Sequence, residues 1–290
     1  MDQNPVTIVC ISDLHGAPLP PLPSGDILII AGDLSEGLPS QLHSRSKQIS
    51  SLKDHFGHIL VIGGNHDRAL SSECDLRDAA IHNDLTQRIK CREEFHSSSK
   101  FIYLENTRTT IHLHNGRTLK IWGSPASLAT SSQTCFGYCA TEAEQQWDQI
   151  PDDTDILITH GPPLGYLDGE KMLGCKVLTK TLWRVRPLLH VFGHIHEGHG
   201  LCILRYDDTQ RLYEDEVLSL KTTIEQAALT STGGKYVPPA LRAGATASIS
   251  RPPLPIQMIV QQDQLPQGRG KTFLVNASIQ NGCQIISLHI

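Results

Sequence analysis

Five short apolar runs in this chain each stop at side chains that bind hard metal ions, and that coupling leaves few folds open. The runs cover residues 6–11, 26–31, 58–62, 155–159 and 188–192. They lead in turn to Asp13-Leu14-His15, Gly32-Asp33, Gly64-Asn65-His66-Asp67, His160-Gly161 and Gly193-His194-Ile195-His196. A continuous apolar run of about four to eight residues is the pattern of a strand buried on both faces. Open α/β sheets place their chemistry in loops beyond the carboxyl ends of such strands. The chain therefore reads as α/β, with strand ends delivering ligands to one place.

The remaining segments fill out that reading. Apolar residues recur near helical period over 38–56 and more sparsely over 83–95. Short strands are expected at 101–104, 109–113 and 119–123, with the Asn115-Gly116 turn signal joining the last two as a hairpin. That pairing implies a second sheet with antiparallel character. Thr141 followed by Glu144 has the pattern of a capping box opening a helix over 141–149. A helix is expected over 211–229. Residues 230–270 are rich in Ser, Thr, Gly, Pro and Gln and poor in large apolar side chains. Strands at 273–276 and 284–290 then rejoin the sheets. The chain reads as a single domain over 1–290, with a flexible insertion at about 208–270.

Composition narrows the function classes. A formal net charge of -5 argues against general nucleic-acid binding or an anionic membrane surface, both of which need a basic face. No targeting segment is visible, and no run approaches the ~18 apolar residues of a membrane span. The eight cysteines are scattered, with no C-x-x-C pair, and read as reduced thiols of an intracellular, cytoplasmic protein. Cys135 and Cys139 could bind metal or oxidise together, but incidental spacing is the preferred reading. Most of the 15 histidines, His190 and His199 included, fall outside the ligand blocks and read as surface or core-edge residues. Asn276, at the end of a late strand, reads either as an amide facing the site or as a strand-end cap. A segment within 230–245 resembles a short linear peptide able to dock a protein partner, against the blander reading of a proline-containing loop.

The ligand blocks carry the chemistry. Carboxylate, imidazole and amide donors without thiolate suit Mn, Fe, Mg or Zn and not a sulfur-bound structural zinc. Their order resembles the calcineurin-like metallophosphoesterase superfamily. Residues 121–125, 155–165, 184–198 and 275–278 look like its metallophosphoesterase-domain-containing family. The resemblance implies a four-layer sandwich of two mixed β-sheets flanked by helices. It also implies two divalent metal ions, manganese first and iron, magnesium or zinc as alternatives. One ion would take Asp13, His15, Asp33 and His196; the other would take Asp33, Asn65, His160 and His194, with Asp33 bridging. His66 would be catalytic and not a ligand, and Asn65 and His66 would both face the substrate. Asp67 and Glu197 are candidate acceptors for the outer nitrogens of the ligating imidazoles.

The activity so implied is a phosphodiesterase. It would hydrolyse a cyclic nucleotide or similar small phosphodiester by attack of a metal-bridging hydroxide. Phosphoprotein phosphatases of the superfamily carry arginines in the blocks that here read Gly32-Asp33 and Gly64-Asn65-His66, and those arginines clamp a dianionic monoester. Their absence favours the singly charged diester, although Arg68, Arg184 or Arg186 could reach in. The alternatives are a small-molecule phosphomonoesterase and a nucleotide-binding scaffold on the same fold.

Overall fold

Parity within each apolar run decides which layer a side chain enters. On the first strands Ile8, Cys10, Ile27, Ile29, Leu60 and Ile62 face one way, and Val9, Ile11, Leu28, Ile30, Ile59 and Val61 face the other. Successive side chains on a strand point to opposite faces, so a run apolar at every position needs cover on both sides. The computed structural model describes residues 5–78, 85–129, 135–230, 256–260, 270–279 and 284–288.

The chain opens with β1 (Val6–Ile11), β2 (Gly25–Ala31), α1 (Pro39–Ser51), β3 (Phe56–Ile62), α2 (Ser72–Asp78), α3 (Leu85–His96) and β4 (Ile102–Tyr103). The middle holds β5 (Thr107–His112), β6 (Thr118–Ser124), β7 (Ser127–Leu128), β8 (Gly137–Tyr138), α4 (Ala143–Trp147), β9 (Ile156–Thr159), α5 (Lys176–Val185) and β10 (Leu189–Phe192). The last part holds β11 (Gly200–Arg205), α6 (Asp208–Thr230), β12 (Ile256–Val260), β13 (Lys271–Asn276) and β14 (Gln284–Leu288).

Two six-stranded sheets result, in the orders β12-β14-β1-β2-β3-β4 and β11-β13-β10-β9-β6-β5. Both are mixed: β1 pairs in parallel with β2 and antiparallel with β14, while β10 pairs in parallel with β9 and β5 is antiparallel to β6. Ile8, Ile27 and Leu60 of one sheet share a buried core with Ile121, Ile158, Val191 and Phe273 of the other. Leu42 and Ile49 of α1 and Phe95 of α3 cover the first sheet's outer face. Trp147 of α4 and Leu178, Leu182 and Val185 of α5 cover the second. The layers are thus helix, sheet, sheet, helix. Burying each such side chain contributes roughly 1.5–3 kcal/mol.

Several expectations change. The first helix stops at Ser51, because Phe56 pairs with Gly25 as the first residue of β3 instead of extending the helical stripe. Glu142, not Thr141, is the N-terminal flanking residue of α4, and the Thr141 hydroxyl meets the Cys139 sulfur instead. Cys74 and Cys135 are joined as a disulfide across 61 residues, correcting the expectation of reduced thiols at those two positions, while Cys10, Cys91, Cys139, Cys175 and Cys202 are free. The fold brings α2 against the segment entering β8, and no spacing rule in sequence reports that approach. Cysteine chemistry therefore gives no argument about compartment.

Within 208–270 the described residues include the helix expected over 211–229 and one further strand. Residues 208–230 form α6, and 256–260 form β12, which pairs in parallel with β14. Glu214 of α6 accepts from Trp183 Nε1 at 2.8 Å and from the Tyr166 hydroxyl, and Tyr213 donates to the Gly165 carbonyl at 2.6 Å. Polar and aromatic contacts dock this helix, and an apolar count undervalues them. Residues 231–255, which hold most of the 230–245 docking segment, lie outside the described residues. No described helix is long and apolar enough to cross a membrane.

Candidate metal centre

The carboxyl ends of β1, β2, β3, β9 and β10 meet at one place. Asp13 and His15 follow β1, Asp33 follows β2, Asn65 and His66 follow β3, His160 follows β9, and His194 and His196 follow β10. Four of these residues sit in the left-handed region, with φ of 60° at Asp13, 44° at His15, 52° at Asp33 and 68° at His194. That region is uncommon for residues with a Cβ and concentrates at functional sites. Here it turns each side chain sharply off its strand end. Gly64 makes the approach possible, since a Cβ there would lie 2.3 Å from Asp33 Oδ1.

The ligand atoms gather in overlapping groups, Asp13–His15–His196, His15–Asp33–His66 and Asp33–His160–His194. His15 Nε2 lies 3.1 Å from His196 Nε2, and His196 Nε2 lies 3.4 Å from Asp13 Oδ1. Asp33 Oδ2 is 3.8 Å from His15 Nε2 and 3.3 Å from His160 Nε2. One carboxylate oxygen therefore stands at the corner common to both sides. Asn65 Oδ1 is 2.9 Å from His160 Nε2. Ligands bound at about 2.1 Å stand roughly 3.0–3.4 Å apart around an octahedral or tetrahedral ion. Two imidazole nitrogens this close have no favourable contact unless a proton or a cation lies between them. The donor set fits divalent metal ions.

Outer contacts orient the rings. His160 Nδ1 donates to the Ala31 carbonyl at 2.9 Å, which turns Nε2 toward Asp33 and Asn65. His15 Nδ1 faces Glu36 Oε1 at 3.0 Å, and His66 Nδ1 faces Glu36 Oε2 at 3.3 Å. Glu36 thus spans two histidines. It is absent from the sequence-based site; the available signal is its place three residues after Asp33, in the same turn. Exposure rises outward: Asp33 and His160 are buried, His15 and His196 half-buried, His66 and Glu36 exposed.

Electrostatics follow the packing. Burial alone would raise Asp33, but His160 and the His66 N–H together hold it well below the usual carboxylate range. Burial alone would lower His160, yet Asp33 and Asp13 lift it to about 9. Burial, with His160 beside it, pushes His194 down to about 4, so its ring is neutral and ready to donate a lone pair. A hydrogen bond to Asp13 raises His196. A metal ion entering here must displace protons.

The sequence pattern of the Calcineurin-like phosphoesterase family matches residues 6–198, which contain all five ligand blocks. The chain belongs to that family. Metallophosphoesterase domain-containing protein 1 of Homo sapiens is 37% identical over 209 residues, covering 67% of this chain and 61% of that one. A UPF0046 protein of Caenorhabditis elegans is 35% identical over 218 residues, covering 67% of this chain and 52% of that one. A protein of Emericella nidulans named probable rhamnogalacturonate lyase C is 41% identical over 215 residues, covering 73% of this chain but 19% of that one. This chain thus spans less than two thirds of the length of each of these three relatives.

Within this member of the family the other candidate residues take different places. Asp67 does not receive an imidazole. Its carboxylate accepts from Leu34 N at 3.0 Å, Ser35 N at 2.8 Å, Ser35 Oγ at 2.9 Å and Gly64 N at 3.0 Å, tying the second and third ligand loops together. Burial and nearby Asp33 nevertheless push it up to about 7. Glu197 is exposed and lies against Gly169. Trp122 and Tyr166 are packing residues in the core of the second sheet. Arg184 is held by the Ile150 and Trp147 carbonyls, and Arg186 by the Trp183 carbonyl and the Tyr206 ring. Neither reaches the ligands.

Proposed function

We propose that this chain is a metal-dependent phosphoesterase, and specifically a binuclear phosphodiesterase acting on a cyclic nucleotide or similar small phosphodiester. The observation that carries the reading is Asp33 Oδ2, a single oxygen shared by two His/Asp clusters. In this reading Asp13, His15, Asp33 and His196 hold one ion, and Asp33, Asn65, His160 and His194 hold the other. Manganese is the first choice to test. When bound, such ions neutralise phosphate charge and lower the pKa of water.

The chain's own groups do the rest. His66 stands exposed at the mouth, where a leaving oxygen can reach Nε2. Glu36, 3.3 Å from His66 Nδ1, is placed to accept from that nitrogen and hold the ring when both ring nitrogens carry protons. The imidazolium gives the Nε2 proton to the leaving oxygen and keeps the Nδ1 proton toward Glu36. The arginine contacts support a diester. Arg45 spends its guanidinium on Gln48 and the Leu34 and Ala17 carbonyls, while Arg184 and Arg186 are engaged elsewhere. Arg68, which follows the His66 loop with its stem beside Gly37, is the arginine to test for the runner-up, a phosphomonoesterase.

The deciding experiment compares hydrolysis of bis-p-nitrophenyl phosphate and p-nitrophenyl phosphate with Mn²⁺ and with EDTA, in the wild type and Arg68→Ala. Metal-dependent preference for the diester, kept in Arg68→Ala, supports the phosphodiesterase and directs a screen of cyclic nucleotides. Preference for the monoester, lost in Arg68→Ala, replaces it with the phosphatase. No turnover of either by metal-loaded protein rejects both in favour of a binding role.

A further inference from the structure

The last core strand ends on a buried amide that touches no ligand yet grips the segment between two of them. Asn276 closes β13 and is fully buried. Its Nδ2 donates to the Ile195 carbonyl at 2.8 Å and to the Leu167 carbonyl at 3.0 Å, while its Oδ1 accepts from Ser278 N at 3.2 Å. Both amide hydrogens and the amide oxygen are therefore used. Ile195 lies between His194 and His196, so its carbonyl belongs to the turn that carries both imidazoles. The same carbonyl also accepts from Gly198 N at 3.0 Å, which closes the turn. Leu167 lies in the loop that runs from His160-Gly161 to α5, and Asp168 folds that loop by accepting from Gly165 N at 3.1 Å and Gly174 N at 3.0 Å.

The approach of loop and turn depends on a missing side chain. A Cβ at Gly198 would lie 1.8 Å from the Leu167 carbonyl oxygen and 3.0 Å from Asn276 Nδ2. Across the same seam Ile195 Cγ2 lies 3.1 Å from where a Cβ on Gly169 would stand. The Oδ1 bond to Ser278 N is that of a strand-end cap. The two Nδ2 bonds go further and tie two loops from other strands, 81 and 109 residues away in sequence.

We propose that Asn276 is a positioning residue that sets the spacing of His194 and His196 by pinning the peptide between them. The inference rests on the metal-binding reading of those histidines. Outer contacts of this kind change metal affinity by about ten- to a hundredfold when broken. Asn276→Asp is the sharp variant: it keeps the shape but turns an acceptor oxygen toward two carbonyls. Gly198→Ala strains the same seam from the other side.

Two measurements test it. Mn²⁺ titration by calorimetry should show affinity weakened about tenfold or more in Asn276→Asp and Gly198→Ala. Val275→Ala, a core change on the same strand, should lower the melting temperature but leave affinity near wild type. Hydrogen exchange on metal-free protein should quicken at 193–198 and 165–172 in Asn276→Asp, with 156–159 unchanged. Wild-type affinity in Asn276→Asp would overturn the proposal, and so would an equal loss in Val275→Ala. Wild-type protein that binds no Mn²⁺ would sink the metal reading and with it the proposal, even if exchange quickens as expected. Unchanged exchange at 193–198 would sink the positioning role by itself.

Discussion

At the scale of single residues, burial separates the groups proposed to hold ions from the group proposed to handle protons. Asp33 is buried with one oxygen between two clusters, so Asp33→Asn disturbs both together. Turnover should fall to the level of buffer, and metal content measured by atomic emission should drop with it. His66 is exposed and should behave otherwise. His66→Ala should lower kcat about a hundredfold or more while metal content stays, since general acid catalysis is worth that much. Glu36→Gln should cost about tenfold in kcat and spare metal content at the His160 side; full activity would deny Glu36 a part in orienting His66. His190 is a different case. It is buried on β10, donates from Nε2 toward Thr159 Oγ1 at 2.8 Å, and burial pushes its pKa down to about 3. The unfolded chain takes up that proton near 6.5, so below that pH the unfolded state binds more protons. Stability should be complete above pH 6.5 and fall by up to about 1.4 kcal/mol per pH unit as the pH drops toward 3. His190→Gln should remove that one-proton slope in denaturant titrations between pH 7 and 5.

At the scale of elements, strand ends and one added helix decide the site. The sheets need only apolar alternation, but the ligands need strand ends that coincide. The parallel register of β1 with β2, β2 with β3 and β9 with β10 supplies that. Helix α6 adds a brace on the loop beside the centre, through Tyr213 on Gly165 and Lys221 Nζ on the Met172 carbonyl at 3.0 Å. Glu214→Ala strands the donors of half-buried Trp183 and buried Tyr166. Urea unfolding should report a loss of about 1–2 kcal/mol. A smaller change than about 0.5 kcal/mol would mean that α6 docks through its apolar side chains instead.

At the scale of the whole molecule, metal binding and folding are linked, because the ligands come from strands spread over the chain and converge only when it is folded. His15 and His196, 181 residues apart, stand with their Nε2 atoms 3.1 Å from one another. An ion that binds the folded chain alone adds about 2.7 kcal/mol at a hundred times its Kd. For a chain of this size that corresponds to a rise of roughly 5–10 °C in melting temperature with Mn²⁺, reversed by EDTA. A melting temperature indifferent to both would argue against ions held between the sheets. Binding should also release protons, His160 being lifted to about 9 in their absence, and calorimetry in buffers of different ionisation heat reads that release.

The layers and the ligand order were legible because they are local properties. An apolar run on both parities demands two covered faces, and a ligand just past such a run must emerge at a sheet edge. Asp13, His15, Asp33, Asn65, His160, His194 and His196 could be named as candidates on that ground together with the family resemblance, and the structure brings them together. What the tertiary structure decided depends on distance through space. Glu36 faces two histidines because two loops meet there. Asn276 meets Ile195 because β13 lies beside β10. Cys74 reaches Cys135 because α2 folds back on the segment before β8. Side-chain chemistry is written along the chain, but which groups share a proton, a carbonyl or a covalent bond is set only when strands remote in sequence become neighbours.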